Sequence, residues 1–264
     1  YESVGEHCVR QKCERRILSM NHFLGELTTE EAKDRMAKAD YIILPTGSIE
    51  QHSTHLPLLT DSIRAEEISN RLLEKANNSG LKMLGIPTLS YGCSDHHINF
   101  SGTISIDQNT YIRILYNIGK CLSMHGAKRF LVINFHGGNK EPIAIAGDKI
   151  ISDFDIDFHF VHWTMYARER IIKELKVKEW GHACEYETSM ILHFRPDLVK
   201  KDKIQKQVSK VKPETKLLRY FEDYYPSGGK GDPAKASAEF AAGLVEDVNR
   251  EIIDILRKDL ALTD

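Results

Sequence analysis

Phe130-Leu-Val-Ile-Asn134 is a short, unbroken apolar run, and His-Gly-Gly-Asn follows it without a spacer. A run with no polar alternation fits a strand covered on both faces, as parallel sheets require. Parallel strands in turn need long crossover connections, usually helical. The rest of the chain supplies them. Thr28 or Thr29, followed by Glu30 and Glu31, caps a helix expected to reach about Ala39. Tyr41 to Leu44 reads as a strand closed by Pro45-Thr46-Gly47, and Asp61 precedes a helix whose Ile63, Ile68 and Leu72 recur at helical spacing. A strand is expected from Met83 to Leu89, then a helix capped by Asp107 and ending at Gly126. A helix from about Lys140 to Ser152, a strand near Phe158 to His162 and a long amphipathic helix over 234–260 continue the series. Glu187 to Phe194 fits either a helix or a strand. The pattern predicts an α/β fold with a mostly parallel central sheet covered on both sides.

In such sheets ligands bind beyond the carboxyl ends of the strands. Two polar segments fall there, 50-EQH-52 and 136-HGGN-139. Glu50 and His52 are two apart, so in extended backbone they project to one side. Asp61 follows after a loop long enough to fold back, His136 offers a second imidazole, and GHACEYETS adds His182 and Glu185. Carboxylates mixed with imidazoles suit Zn, Mn or Fe(II). Each residue also has an ordinary reading. Asp61 is well placed to cap its helix, a lone histidine is often a hydrogen-bonded loop residue, and HGGN can be a tight turn.

Composition narrows the classes. With 36 basic against 38 acidic side chains and a net charge of −2, nothing favours nucleic acid or an anionic membrane as partner. No stretch approaches the roughly 20 apolar residues of a membrane helix. Five scattered cysteines (8, 13, 93, 121 and 184) form no disulfide framework, so a reducing, cytoplasmic setting is expected. Dinucleotide binding needs G-x-G-x-x-G at a strand–helix turn, which the chain lacks. Residues 1–20 read as an N-terminal extension and 21–264 as a single domain. The polar stretch from Lys200 to Gly231 reads equally as a lid, an interface or a loose loop.

The segments LPTGSIEQHSTHLPLLTD, YGCSDHHINFSGTIS, INFHGGN, HACEYETS and GDPAKAS occur in order from about Tyr41 to Ser237. Together they resemble the creatininase family of metal-dependent amidohydrolases, in its HGGN-type branch. The resemblance implies a three-layer α/β/α sandwich, two divalent metal ions (Zn, Mn or Fe(II)) and a homo-oligomer, commonly a hexamer. By the same match Asp61 would bridge both metals, Glu50 and His136 would hold one, and His52 the other. The founding creatininases draw a further carboxylate ligand from a Glu at the position of Gly138. In its absence Glu185 is the expected fifth ligand, and His182 the expected proton carrier. His97, Asn139 and Cys184 are placed along the substrate pocket, Asn139 alternatively as a helix cap and Cys184 as a small filler. His55 and His96 read as pocket lining or as surface polar residues.

The implied chemistry is hydrolysis of a C–N bond in a small cyclic or formyl amide. A bridging water whose pKa falls from 15.7 toward about 7 attacks as hydroxide. Alternatives are peptide trimming, C–C cleavage of an oxidised inositol, or a noncatalytic metal- or ligand-binding role.

Overall fold

A computed structural model describes residues 22–177, 181–206 and 220–263. The expected extension over 1–20, with Cys8 and Cys13, lies outside the described residues, as does much of the stretch between Lys200 and Gly231. In chain order the elements are α1 (Thr29–Lys38), β1 (Tyr41–Thr46), α2 (Thr60–Asn78), β2 (Met83–Gly85), α3 (Gln108–Met124), β3 (Arg129–Asn134) and α4 (Lys140–Asp153). There follow β4 (Asp157–His162), α5 (Trp163–Leu175), α6 (Glu185–Phe194), the single turn α7 (Phe221–Tyr224) and α8 (Ala238–Thr263).

The four strands form one parallel sheet in the order β2-β1-β3-β4. Alternate residues of each strand enter opposite cores. Tyr41, Ile43, Leu131, Ile133 and Val161 pack with α2, α5, α6 and α8, whereas Ile42, Leu44, Phe130 and Val132 pack with α1, α3 and α4. That period of two makes the three layers.

Local chemistry sets most boundaries. Thr28 and Glu31 form a reciprocal capping box at α1, and the Asp107 side chain accepts from the Thr110 amide at α3. Ser237 Oγ accepts from the Phe240 amide at 3.1 Å, so α8 starts after it rather than at 234. β1 runs through Pro45, two residues past the expected stop. The Pro45 carbonyl, and hence the side of the strand where its amide would point, faces Leu89, beyond the last β2 residue at Gly85. No ladder bond is lost there. The expected strand over 83–89 is correspondingly shorter, with Leu89 touching Thr46 as an isolated bridge. Ile63 packs on a small cluster with Leu56 and Ile191 instead of joining the main stripe of α2. Helix α5 has no counterpart in the sequence reading. It starts directly at the end of β4 with no side-chain cap, so no turn signal marks it.

Thr46, Asn134 and His162 lie in register at the carboxyl ends of β1, β3 and β4. β1 connects outward to β2, and β3 connects outward to β4. The crevice between β1 and β3 is therefore the topological switch point, where open α/β sheets bind ligands.

Buried Asn249 of α8 ties the helical layer together. It accepts from Trp163 Nε1 at 3.0 Å and donates to the Ile68 carbonyl at 3.1 Å. Asn249→Leu orphans the Trp163 N–H, and urea unfolding at fixed metal content is expected to show a loss of about 1–3 kcal/mol.

Candidate metal centre

The loop after β1 carries Glu50 and His52, the first turn of α2 carries Asp61, the residue pair after β3 places His136, and the first turn of α6 places Glu187. All five are buried. Their ligand-type atoms fall into overlapping groups lying within 4.8 Å: His52 with Asp61 and Glu187, Glu50 with His96 and His136, and Glu50 with His52 and His182. Asp61 joins two sides. Its Oδ1 lies 3.5 Å from His52 Nε2, and its Oδ2 lies 3.1 Å from His136 Nδ1. Glu50 Oε1 is 3.2 Å from the same His136 nitrogen, and His52 Nε2 is 3.8 Å from Glu187 Oε2.

Backbone carbonyls decide which ring nitrogen faces inward. His136 Nε2–H donates to the Cys93 carbonyl at 3.0 Å, leaving the Nδ1 lone pair toward Glu50 and Asp61. His52 Nδ1–H donates to the Glu50 carbonyl at 3.1 Å, leaving Nε2 toward Asp61 and Glu187. Imidazoles locked this way through the outer nitrogen are what metal ligation requires. Glu50 Oε2 and His52 Nε2 are buried with no hydrogen-bond partner. Such orphaned polar atoms, buried among the carboxylates and imidazoles of the neighbouring elements, fit a cation.

Electrostatics point the same way. Burial works to lower the His52 pKa, but Asp61, then Glu187 and Glu50, raise it to about 9. Burial works to raise the Glu50 carboxyl, yet His136 and His97 hold it well below the usual carboxylate range. The carboxylates demand positive charge. Arg64 supplies some of it, its Nη1 donating to Asp61 at 2.8 Å and to Glu187 at 2.7 Å, while its Nη2 reaches the Tyr186 hydroxyl at 2.7 Å.

The family described as creatininase, creatinine amidohydrolase, matches residues 25–256. This chain belongs to the creatininase family. It is 27% identical to creatinine amidohydrolase of Pseudomonas putida over 93% of the chain and 100% of that relative. Identity is 29% to the mycofactocin precursor peptide peptidase of Mycobacterium ulcerans (strain Agy99), over 81% of the chain and 84% of the relative. The solved structure "Creatininase Mn" superposes with a TM-score of 0.81 at 25% identity, covering 90% of this chain and 98% of the other.

Within this creatininase-family fold, several residues sit elsewhere than expected. Glu185 belongs to none of the ligand groups. It is fully buried, and its Oε2 accepts from the Asp232 amide at 2.6 Å. Residues two apart on a helix point about 200° from each other, so only one of Glu185 and Glu187 can face the cavity. It is Glu187, held there by Arg64 and by the Ala183 amide at 2.6 Å. Ala183 adopts φ 47 to make that contact. Left-handed backbone at a non-glycine residue costs about 1–3 kcal/mol.

Asn139 neither caps α4 nor lines the cavity. Its amide donates to the Gly47 carbonyl at 2.9 Å and its oxygen accepts from the Cys93 amide at 2.9 Å, tying three loops together. Cys184 is core filler at the start of α6, its thiol pushed up to about 12 by burial and by Glu187 and Glu185. His55 is buried against Thr188 Oγ1 at 2.9 Å, away from the cavity. His96, His97 and His182 do line it, in a space of about 580 Å³ shared with Glu50, Asp61, His136, Glu187 and Phe221.

Gly138 has a steric reason. A Cβ there would lie 2.1 Å from the Cys93 carbonyl oxygen, so no side chain fits while that carbonyl holds His136. Local sequence signals do not single out Glu187 or Arg64. Glu187 lies within HACEYETS beside Glu185, and Arg64 stands one helical turn after Asp61, the spacing of a side-chain pair.

Arg64→Met leaves two buried carboxylates without their shared guanidinium. Urea denaturation of the chelator-treated protein is expected to show a stability loss of about 3–5 kcal/mol.

Proposed function

We propose that this creatininase-family chain is a metal-dependent amidohydrolase that cleaves a C–N bond in a small cyclic or formyl amide. The observation that carries the reading is the position of Asp61, one oxygen toward His52 and the other toward His136. On that geometry Asp61 would be shared between two divalent ions, with Glu50 and His136 as the residues that would hold one and His52 and Glu187 those that would hold the other. Glu187 here takes the place first expected for Glu185. Carboxylate and imidazole ligands accept Zn, Mn or Fe(II), and solved relatives carry the descriptions "Creatininase Mn" and Zn-Zn type. When bound, two such ions supply Lewis acidity toward the amide carbonyl and a shared water of lowered pKa.

The chain's own residues complete the chemistry. His182 Nε2–H donates to the Gln51 carbonyl at 2.6 Å, and Nδ1 stands 3.7 Å from Glu50 Oε1. Burial and the neighbouring His52 lower the His182 pKa to about 3, so the ring is neutral, with Nδ1 open to take a proton and return it to the leaving nitrogen. His97 is fixed by Gln51 Nε2, which donates to its Nδ1 at 2.8 Å, and it turns Nε2–H toward Glu50 at 3.7 Å. The ring of Phe221 covers His97 and His182, with centroids at 4.5 and 5.0 Å, and keeps bulk water from that side.

The setting is read as cytoplasmic on the free thiols of Cys93, Cys121 and Cys184, and no described helix is long and apolar enough to cross a membrane. A homo-oligomer is read from the resemblance and from Leu58, Leu59, Ile98 and Ile104, each at least 36% exposed in neighbouring loops. Light scattering after gel filtration tests it.

Elemental analysis tests the centre. About two metals per chain are expected for wild type, and both are largely lost in Asp61→Ala. Glu187→Gln is expected to lose one of them, and Glu185→Gln to keep both; the reverse pattern would restore Glu185 as the ligand. A panel of cyclic amides, formyl amides and short peptides, assayed with the metal found, tests the reaction. Turnover confined to C–C bonds would sink the amidohydrolase reading, and so would ligand binding with no turnover at all.

A further inference from the structure

We propose that His162, Arg168 and Lys230 form a subsite for an oxyanion of the substrate, a carboxylate or phosphate carried apart from the scissile amide. The inference rests on the amidohydrolase reading, because all three residues line the cavity that contains Glu50, Asp61, His136 and Glu187.

His162 is oriented by a chain of hydrogen bonds that leaves one tautomer. Asn134 Oδ1 accepts from the Thr46 hydroxyl at 2.9 Å, the His136 amide at 3.2 Å and Asn139 Nδ2 at 3.2 Å. Its Nδ2 is therefore the donor, to the His136 carbonyl at 2.5 Å and to His162 Nδ1 at 3.1 Å. With Nδ1 accepting, the proton of the neutral ring sits on Nε2. That N–H has no acceptor among the described residues. It is a fixed donor in the cavity wall with no role in the metal-ligand set.

Arg168 and Lys230 add charge to the same wall. Arg64, Arg71, Arg170 and Arg195 all have carboxylate partners, but Arg168 and Lys230 have none among the described residues. Lys230 is held in place by its backbone, which exchanges bonds with His182 at 2.7 and 3.4 Å, so its stem stands beside the proposed proton carrier. Arg168 lies on the face of α5 that also bears Met165, three residues before it, and Ile172, four after it. Both are exposed apolar side chains lining the cavity, so aliphatic surface flanks the guanidinium.

Charge accounting gives these cations a purpose. Arg64 and two divalent ions would already outweigh the carboxylates of Glu50, Asp61 and Glu187. A neutral amide needs no further positive charge. An amide with an acidic arm does, and guanidinium, ammonium and imidazole N–H donors that lack a carboxylate partner are the groups that recognise one, the Lys230 ammonium standing 6.0 Å over the Tyr225 ring. The substrate class is thus a small amide whose short aliphatic arm ends in an oxyanion.

The test uses the metal-loaded full chain and dicarboxylates from malonate to adipate, each compared by calorimetry with the monocarboxylate of equal length. One carboxylate occupies the metal centre in both members of a pair, so only the distal group differs. The best-fitting dicarboxylate is expected to bind wild type at least about tenfold tighter than its partner. In Arg168→Gln/Lys230→Gln that preference is expected to fall to about twofold, the statistical factor for two equal ends. His162→Phe should reduce it and His162→Gln, which keeps an N–H near the Nε2 position, should restore it. Replacing the distal carboxylate by a phosphonate assigns the oxyanion: tighter binding points to phosphate, weaker to carboxylate. A wild-type preference of about twofold or less at every length, with metals bound and monocarboxylates still binding, overturns the subsite and leaves the amidohydrolase reading standing. So does a preference that survives in the double variant. Metal analysis of the same samples separates these results from a chain that takes up no metal, where both readings fall.

Discussion

Burying three carboxylates in one place is the constraint from which much of this molecule follows. Glu50, Asp61 and Glu187 are each at most 6% exposed. An ionised carboxylate withdrawn from water costs several kcal/mol unless positive charge and hydrogen bonds replace its hydration. Arg64 meets part of that demand by spanning Asp61 and Glu187, and in doing so it fastens α2 to α6. His136 meets another part and fastens the end of β3 to the loop after β1. The groups that complete the site are the same groups that hold its four supporting segments in register. Site and scaffold therefore cannot be separated energetically, and a cation entering the cavity acts on both.

The sheet supplies the place where this charge can be gathered. Parallel strands end together, and their crossovers part at the β1–β3 crevice. Loops leaving that edge need no secondary structure of their own to meet. Asn134 and Asn139 then replace the missing ladder, bonding the loop backbones at Gly47, Cys93 and His136 to one another. His136 takes its orientation from the Cys93 carbonyl, His52 from that of Glu50 and His182 from that of Gln51.

Much of this was legible in the sequence. The buried run at 130–134, the capping residues and the helical stripes fixed the α/β class and most boundaries, since those signals depend on neighbours a few residues away. Glu50, His52, Asp61 and His136 could be singled out because each follows a strand or opens a helix. What escaped depends on direction. Choosing between Glu185 and Glu187 requires the rotation of α6 about its axis, which is set by Tyr186 and Met190 entering the core. Asn139 reads from sequence as a pocket residue or a helix cap, and His55 as pocket lining or a surface polar residue, because only neighbours along the chain inform either choice. Their partners, Gly47, Cys93 and Thr188, are distant in sequence and invisible to any local pattern. Helix α5 was missed for want of a cap, and Arg168 of the proposed subsite was missed with it.

Gly138 closes a route between two ways of building such a centre. In the founding creatininases, by the resemblance stated earlier, a glutamate at this position contributes to the metal site. Here the Cys93 carbonyl occupies the volume that the first carbon of any side chain would need, and the same carbonyl steers His136. A glutamate cannot enter until that loop has moved, and the loop cannot move without releasing the imidazole it aims. With the loop in this position, a side chain at 138 and the Cys93 contact that aims His136 exclude one another.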